Sequence, residues 1–190
     1  MNRTNQFHEH EEYRKILSSK EAKDSIKKYD KDCRNNFISM ANNSKTDIFY
    51  RKFYNKTLNV FPKKDFYIHL QQFPENDSPS CLIFNDNDNT MSFIQFRLTS
   101  RSNEKYFDKL FNKYPVLIEI EALHSYEKGM GVVLVNQLKK LSDKMDMPIY
   151  LYDTNLKDEY YYQNLGFFDT NEKGVYGEPL LVYKPIKEDL

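Results

Sequence analysis

The sequence predicts a mixed fold of α+β or α/β class. A helical N-terminal segment precedes a central sheet made of hairpins around one strand–loop–helix–strand unit. Three observations lead there. Residues 1–60 contain no Gly or Pro and show sparse helical periodicity. Two β-compatible runs in the middle are separated by an Asn/Asp-rich turn. From Val116 onward, a strand, a glycine-bearing loop, a helix and a second strand follow in order, and a hairpin closes the chain.

The whole chain, residues 1–190, reads as one domain: at this length a single core buries about 70% of the unfolded surface. We divide it into a helical part (1–60), a part with strands, a hairpin and a short helix (66–115), and a C-terminal half (116–190). No Gly-, Ser- or Pro-rich linker and no internal repeat interrupts it. Lys plus Arg total 28 and Asp plus Glu total 28, so the basic excess typical of nucleic-acid binding is absent. No apolar run approaches the ~20 residues of a membrane span, and MNRTNQFHEHEEYRK lacks the apolar core of a secretory signal. Cys33 and Cys81 have no metal-type spacing and read as free thiols. We therefore expect a cytoplasmic protein with no metal, no membrane and no nucleic-acid partner.

Element by element, His8 to Asn42 is charged, with Tyr13, Ile16, Leu17, Ile26, Tyr29, Phe37, Ile38 and Met40 at helical intervals, which predicts one or two surface helices. In Asp47–Leu58 the pairs Phe49/Phe53 and Tyr50/Tyr54 lie four apart on a helix, an aromatic stripe usually destined for the core. Phe66–Phe73 alternates as a strand. Ser80–Phe84 and Met91–Leu98 form a hairpin across Asn85–Asn89, where Asn and Asp accept positive φ. That turn lacks the Gly and terminal Glu of a calcium loop. Glu104–Asn112 is a short helix stopped by Tyr114-Pro115.

Val116–Leu123 is a strand with Ile118, Ile120 and Ala122 expected on one face and Leu117, Glu119 and Glu121 on the other. The loop His124–Gly131 leads into a helix with Leu134, Leu138, Leu141 and Met145 on its inner side. A helix start leaves four N–H groups unpaired and carries partial positive charge. Gly129 and Gly131 bare that start, so the expected ligand is a diphosphate. No Gly-Lys-Ser/Thr of a P-loop and no Gly-x-Gly-x-x-Gly is present. Ile149–Tyr152 is a second strand, which implies parallel pairing through the helix. A helix then runs through Tyr160–Asn164, with Gly166 as its left-handed cap. Leu180–Tyr183 is the last strand, reached by a turn at Asn171–Gly174.

Two stretches resemble the GNAT superfamily of acetyl-CoA-dependent N-acyltransferases. Tyr126-Glu127-Lys128-Gly129-Met130-Gly131 is similar to its Gln/Arg-x-x-Gly-x-Gly/Ala signature. The run from Asn155 through Tyr160-Tyr161-Tyr162 to Leu165-Gly166-Phe167 resembles Asn-x-x-Ala-x-x-Phe-Tyr-x-x-Leu-Gly-Phe. Two departures stand out: Tyr126 replaces the Gln or Arg, and Asp158 replaces the Ala.

The resemblance implies a single GNAT-like domain with a mostly antiparallel sheet, whose C-terminal half binds acyl-CoA and whose helical N-terminal part faces the acceptor. It implies transfer of an acetyl group from acetyl-CoA, as co-substrate, to a primary amine on a small molecule or peptide. The same fold also serves as a degenerate CoA-binding or protein-interaction module, and a longer acyl or an aminoacyl donor stays open. Dimers are frequent among such proteins, so a homodimer is compatible. By the same resemblance the amides of Tyr126, Glu127, Lys128, Gly129, Met130, Gly131 and Val132 hold the pyrophosphate. Glu121, Ala122 and Leu123 pair with the pantetheine arm where the strands part, and Asn155 bonds that arm or caps its helix. Tyr162 protonates the departing thiolate, since a phenol near pKa 10 can donate to a thiolate near 8.5. Glu119 is the candidate base for the amine, with His124 just beyond.

Overall fold

The computed structural model describes residues 3–71, 79–86, 89–100, 107, 110–154 and 160–186. The N-terminal stretch forms two helices, α1 (Arg3–Ser18) and α2 (Lys20–Asn42). Ser19 divides them: its extended backbone breaks the helix and its hydroxyl accepts from Ala22 N as an N-cap. Asp47 caps α3 (Ile48–Val60) in the same way, through Phe49 N. In α3 the stripe divides: Phe53 is buried, Phe49 and Tyr54 pack at the edge of the core, and Tyr50 is exposed.

The sheet strands are β1 (Tyr67–Gln71), β2 (Ser80–Asn85), β3 (Ser92–Thr99), β4 (Leu117–His124), β5 (Ile149–Tyr152), β6 (Phe168–Lys173) and β7 (Pro179–Tyr183). Their order is β1-β2-β3-β4-β5-β7-β6, and every neighbouring pair is antiparallel except β4–β5. This is the mixed, mostly antiparallel sheet that the resemblance implies. The long helix between β4 and β5 is α4 (Met130–Met145), and a single turn after β5 is α5 (Tyr161–Asn164). The closing turn lies later than expected. Residues 171–173 continue β6, with Asn171 at φ +63° absorbing a register shift, and the reversal is made by 174–178, with Gly177 at φ +88°. Phe107, Leu110 and Phe111 fall in the short helix expected at 104–112; the rest of its first turns lie outside the described residues.

One sheet face carries the main core. Ile68, Cys81, Ile83, Ile94, Phe96, Ile118, Ile120, Ile149 and Leu151 meet Phe37 of α2, Phe53 of α3 and Leu134, Val135, Leu138 and Leu141 of α4. α2 is fastened there by a buried pair. Asp30 accepts from Arg34 Nε at 2.8 Å and from the Ile68 amide at 2.8 Å, and Arg34 donates onward to Phe66 O. The other face is covered at two ends. Leu17, Ile26, Met91 and Phe93 form one cluster, while Phe107, Leu110 and Tyr114 pack on Leu117, Tyr150, Leu180 and Val182.

β4 departs from simple alternation. Ile120 pairs with Phe96 and Ala122 with Gln95, so Glu121 is an extra residue, a β-bulge. Beyond it the faces exchange. Ala122, expected beside Ile118 and Ile120, packs instead with the cluster of Leu17 and Phe93, and Leu123 takes the place against the main core.

Candidate functional site

β4 and β5 pair over two rungs, Ile118 with Ile149 and Glu119 with Tyr150, and above these no rung joins them. β5 leaves its partner to run along β7, and β4 bulges at Glu121 toward β3. The result is a fork that opens toward the loop preceding α4. Glu121, Ala122 and Leu123 form its β4 arm.

At the head of α4, Gly129 is the N-cap, left-handed at φ +86°, with no atom within 4 Å of where a Cβ would stand. The glycine is required by its backbone conformation rather than by crowding. Gly131 is different. A Cβ there would lie 2.5 Å from the Tyr161 hydroxyl and 3.2 Å from the Ser125 Cβ. The missing side chain is thus filled by a neighbouring phenol.

Of the seven amides in the loop, three have protein acceptors. Tyr126 N donates to Ser92 Oγ at 3.2 Å, Met130 N to Glu127 O at 3.2 Å, and Gly131 N to Ser125 Oγ at 2.9 Å. Among the described residues, no protein acceptor meets the amides of Glu127, Lys128, Gly129 or Val132. Unpaired N–H groups at a helix start favour an anion. Lys128 is exposed beside them, and Glu127 is half-buried in the same turn.

Tyr126 faces away from these amides. Its hydroxyl donates to His10 O on α1 at 3.1 Å and its ring lies 4.7 Å from that of His10. His10 and His124 meet Nδ1 to Nδ1 at 3.1 Å with ring planes 19° apart, a single N–H···N bond between imidazoles. Phe93 stacks on His124 from β3 and Tyr13 adjoins it from α1. Burial, and secondarily His10, push the His124 pKa down to about 4, so the ring is neutral at pH 7.

The two candidate catalytic side chains lie on opposite faces of the sheet. Glu119, on the last rung of the fork, accepts from Arg97 Nε at 2.7 Å and neighbours the Tyr150 phenol. Glu121 accepts from Ser80 at 2.5 Å and from Gln95 at 3.0 Å, and stands 3.4 Å from Arg97. Tyr162 packs in the main core against Phe167 and Tyr161, 6% exposed. Its hydroxyl makes no hydrogen bond among the described residues. Burial first, then the charge of Asp153, push its pKa well above the ordinary value of a phenol. Asn155 lies outside the described residues.

Sequence reasoning missed several participants. Ser92 and Ser125 supply hydroxyls to loop amides, Arg97 holds both carboxylates, and His10 reaches the loop from the far N-terminus. A serine six residues before Gly131 is a weak capping signal; the other three contacts join residues distant in sequence and leave no local trace. No group of three or more His, Cys, Asp or Glu side chains is placed to hold a metal among the described residues. No helix among them is long and apolar enough to cross a membrane.

The parallel β4–α4–β5 unit, its fork, the glycine-capped α4 and the turn before Leu165-Gly166-Phe167 are the arrangement that the resemblance to the GNAT superfamily leads one to expect. No family model matches the sequence, and no curated protein sequence does. Among solved structures, the chain is similar to the Bacillus subtilis N-acetyltransferase YlbP in complex with coenzyme A. Identity there is 18%, over 75% of this chain and 91% of that one, with a TM-score of 0.42. The anti-CRISPR protein AcrVA5 is similar over 49% of this chain and 90% of its own, at 14% identity and a TM-score of 0.32. Both likenesses are distant.

Proposed function

We propose that the protein is an acyltransferase that moves an acetyl group from acetyl-CoA directly to a primary amine. The observation that carries this reading is the conjunction of unpaired amides at Glu127, Lys128, Gly129 and Val132 with an open fork between β4 and β5. The amides suit a diphosphate, and a free strand edge on the β4 arm suits the amides and carbonyls of a pantetheine chain. A phosphate alone would use the loop but leave the fork without purpose.

In this reading the acceptor amine attacks the thioester carbonyl carbon, the C–S bond breaks, and the thiolate leaves. Tyr162 gives that thiolate its proton. Its hydroxyl is uncommitted among the described residues; burial makes the phenol a weaker acid than usual, and a thiolate in the same dry surroundings becomes a correspondingly stronger base. Glu119 receives the proton lost by the amine, through water; Arg97 and Tyr150 orient the carboxylate at the base of the fork. The opposite faces of Tyr162 and Glu119 suit a reaction centre between them, in the fork.

A second reading, a CoA-sensing or protein-interaction module, is favoured by Tyr126. The side chain at the family's Gln/Arg position is committed to α1. Calorimetry separates the readings from a protein without a CoA site: acetyl-CoA and CoA bind the wild type in the micromolar range, and Gly129→Glu abolishes binding. A normal isotherm for that variant would remove the site. Tyr162→Phe then divides enzyme from module, because turnover is lost in the first case while CoA affinity stays.

A further inference from the structure

The register of the C-terminal motif points to Tyr162, yet it is the neighbouring tyrosine whose hydroxyl stands at the head of α4. The Tyr161 phenol lies over Gly131, so close that a Cβ on that residue would sit 2.5 Å from its oxygen. Ser125 closes the other side. Its Cβ and Oγ are 3.2 and 3.5 Å from the same point, and its hydroxyl is engaged with Gly131 N and Glu127 O. Tyr161 is half-buried, and its ring meets that of Tyr162 edge-on at 5.0 Å. Tyr162 is the buried member, with its hydroxyl unbonded among the described residues, and Tyr161 lies near enough to act on its phenol.

On the opposite side of the loop, the Tyr126 side chain is turned to α1. Tyr126 occupies the position where the resemblance implies Gln or Arg, and its hydroxyl is spent on His10 O at 3.1 Å. From α5, the Tyr161 hydroxyl stands against the first turn of α4, next to the turn of the four unpaired amides.

We propose that Tyr161 is a binding residue for the acyl donor: its phenol donates to the diphosphate held by the loop amides, in place of the contact Tyr126 does not make. The two adjacent tyrosines then divide the work, Tyr161 on the diphosphate and Tyr162 on the thiol end. The fit at Gly131 follows from the same assignment, since any side chain there would push the Tyr161 hydroxyl off the helix start. This inference rests on the acyl-donor reading above.

The experiment compares the wild type, Tyr161→Phe and Tyr162→Phe by calorimetry with CoA, and by steady-state kinetics with acetyl-CoA and with S-acetylpantetheine, which ends before the diphosphate. Phe keeps the ring and removes the hydroxyl; a thermal melt checks that each variant is folded. Tyr161→Phe is expected to weaken CoA binding about tenfold or more, the loss typical of one hydrogen bond to a charged group. It should raise KM for acetyl-CoA by a larger factor than it changes kcat, and affect the kinetics with S-acetylpantetheine far less. Tyr162→Phe should show the reverse split. Equal CoA affinity for Tyr161→Phe and wild type overturns the inference, as does an equal loss with both donors. A wild type that binds no CoA overturns the acyl-donor reading itself, a result distinct from either.

Discussion

Glu119 faces Tyr150 across the last rung that joins β4 to β5. The rung has two consequences. It ends the parallel ladder, so the strands above it part, and it places a carboxylate, a phenol and the Arg97 guanidinium together at the base of the opening. Parallel strands normally continue to pair for the length of the shorter one. Here the bulge at Glu121 turns β4 toward β3 before that happens.

The left-handed cap at Gly129 makes a sharp stability prediction. Gly129→Ala meets no neighbouring atom but forces an L-residue to φ +86°, a strain of about 1–2 kcal/mol. Gly131→Ala has an ordinary backbone but collides with the Tyr161 hydroxyl. Urea denaturation should show Gly129→Ala destabilised in any background. Removing the phenol with Tyr161→Ala should reduce the cost of Gly131→Ala, leaving the 3.2 Å approach to the Ser125 Cβ, and should not change the cost of Gly129→Ala.

Asp30 is the tie between α2 and the sheet. Its carboxylate is fully buried and answers Arg34 and the Ile68 amide. Asp30→Ala strands a buried guanidinium and an amide, and should cost about 3–5 kcal/mol by chemical denaturation. A loss under about 1 kcal/mol would mean that the pair does not fasten the helix.

The imidazole contact between α1 and the loop should make stability depend on pH. His124 is held near pKa 4 in the fold against an ordinary 6.5, so the unfolded chain binds the proton more readily. The stability gained by folding is full above about pH 6.5 and is lost as pH falls toward 4. Because the ring is partly exposed, the loss should be on the order of 1–2 kcal/mol. His124→Phe keeps the stack on Phe93 and cannot titrate, so its stability curve should be flatter in that window. Identical slopes for variant and wild type would exclude His124 as the source.

Tyr126→Phe tests which way that side chain works. It removes the donor to His10 O and should lower stability by about 1 kcal/mol. CoA affinity should be unchanged, because the phenol points away from the unpaired amides. A large drop in affinity would return Tyr126 to the diphosphate.

Much of this architecture was legible in the residues. The Gly129-x-Gly131 spacing, the apolar side of α4 and the run to Leu165-Gly166-Phe167 located the strand–helix–strand unit, because each is a local signal of backbone conformation or amphipathicity. The bulge was not legible. Ile118, Ile120 and Ala122 alternate without fault, and the extra residue at Glu121 exists only in the pairing with β3. The closing turn was placed early because Asn171 and Gly174 are good turn residues. Asn171 in fact takes positive φ inside β6, while Gly177 makes the reversal. The clasp of His10 on His124 joins positions 114 apart and carries no periodic trace.

The central claim is that main-chain donors at the head of α4 hold a diphosphate, and amide-resolved NMR during a titration with acetyl-CoA tests it most directly. The amides of Glu127, Lys128, Gly129 and Val132 should shift together and saturate at micromolar ligand, while those of Tyr126, Met130 and Gly131, already bonded within the protein, move less. Resonances that stay in place throughout the titration, or shifts confined to residues far from this turn, would contradict the account.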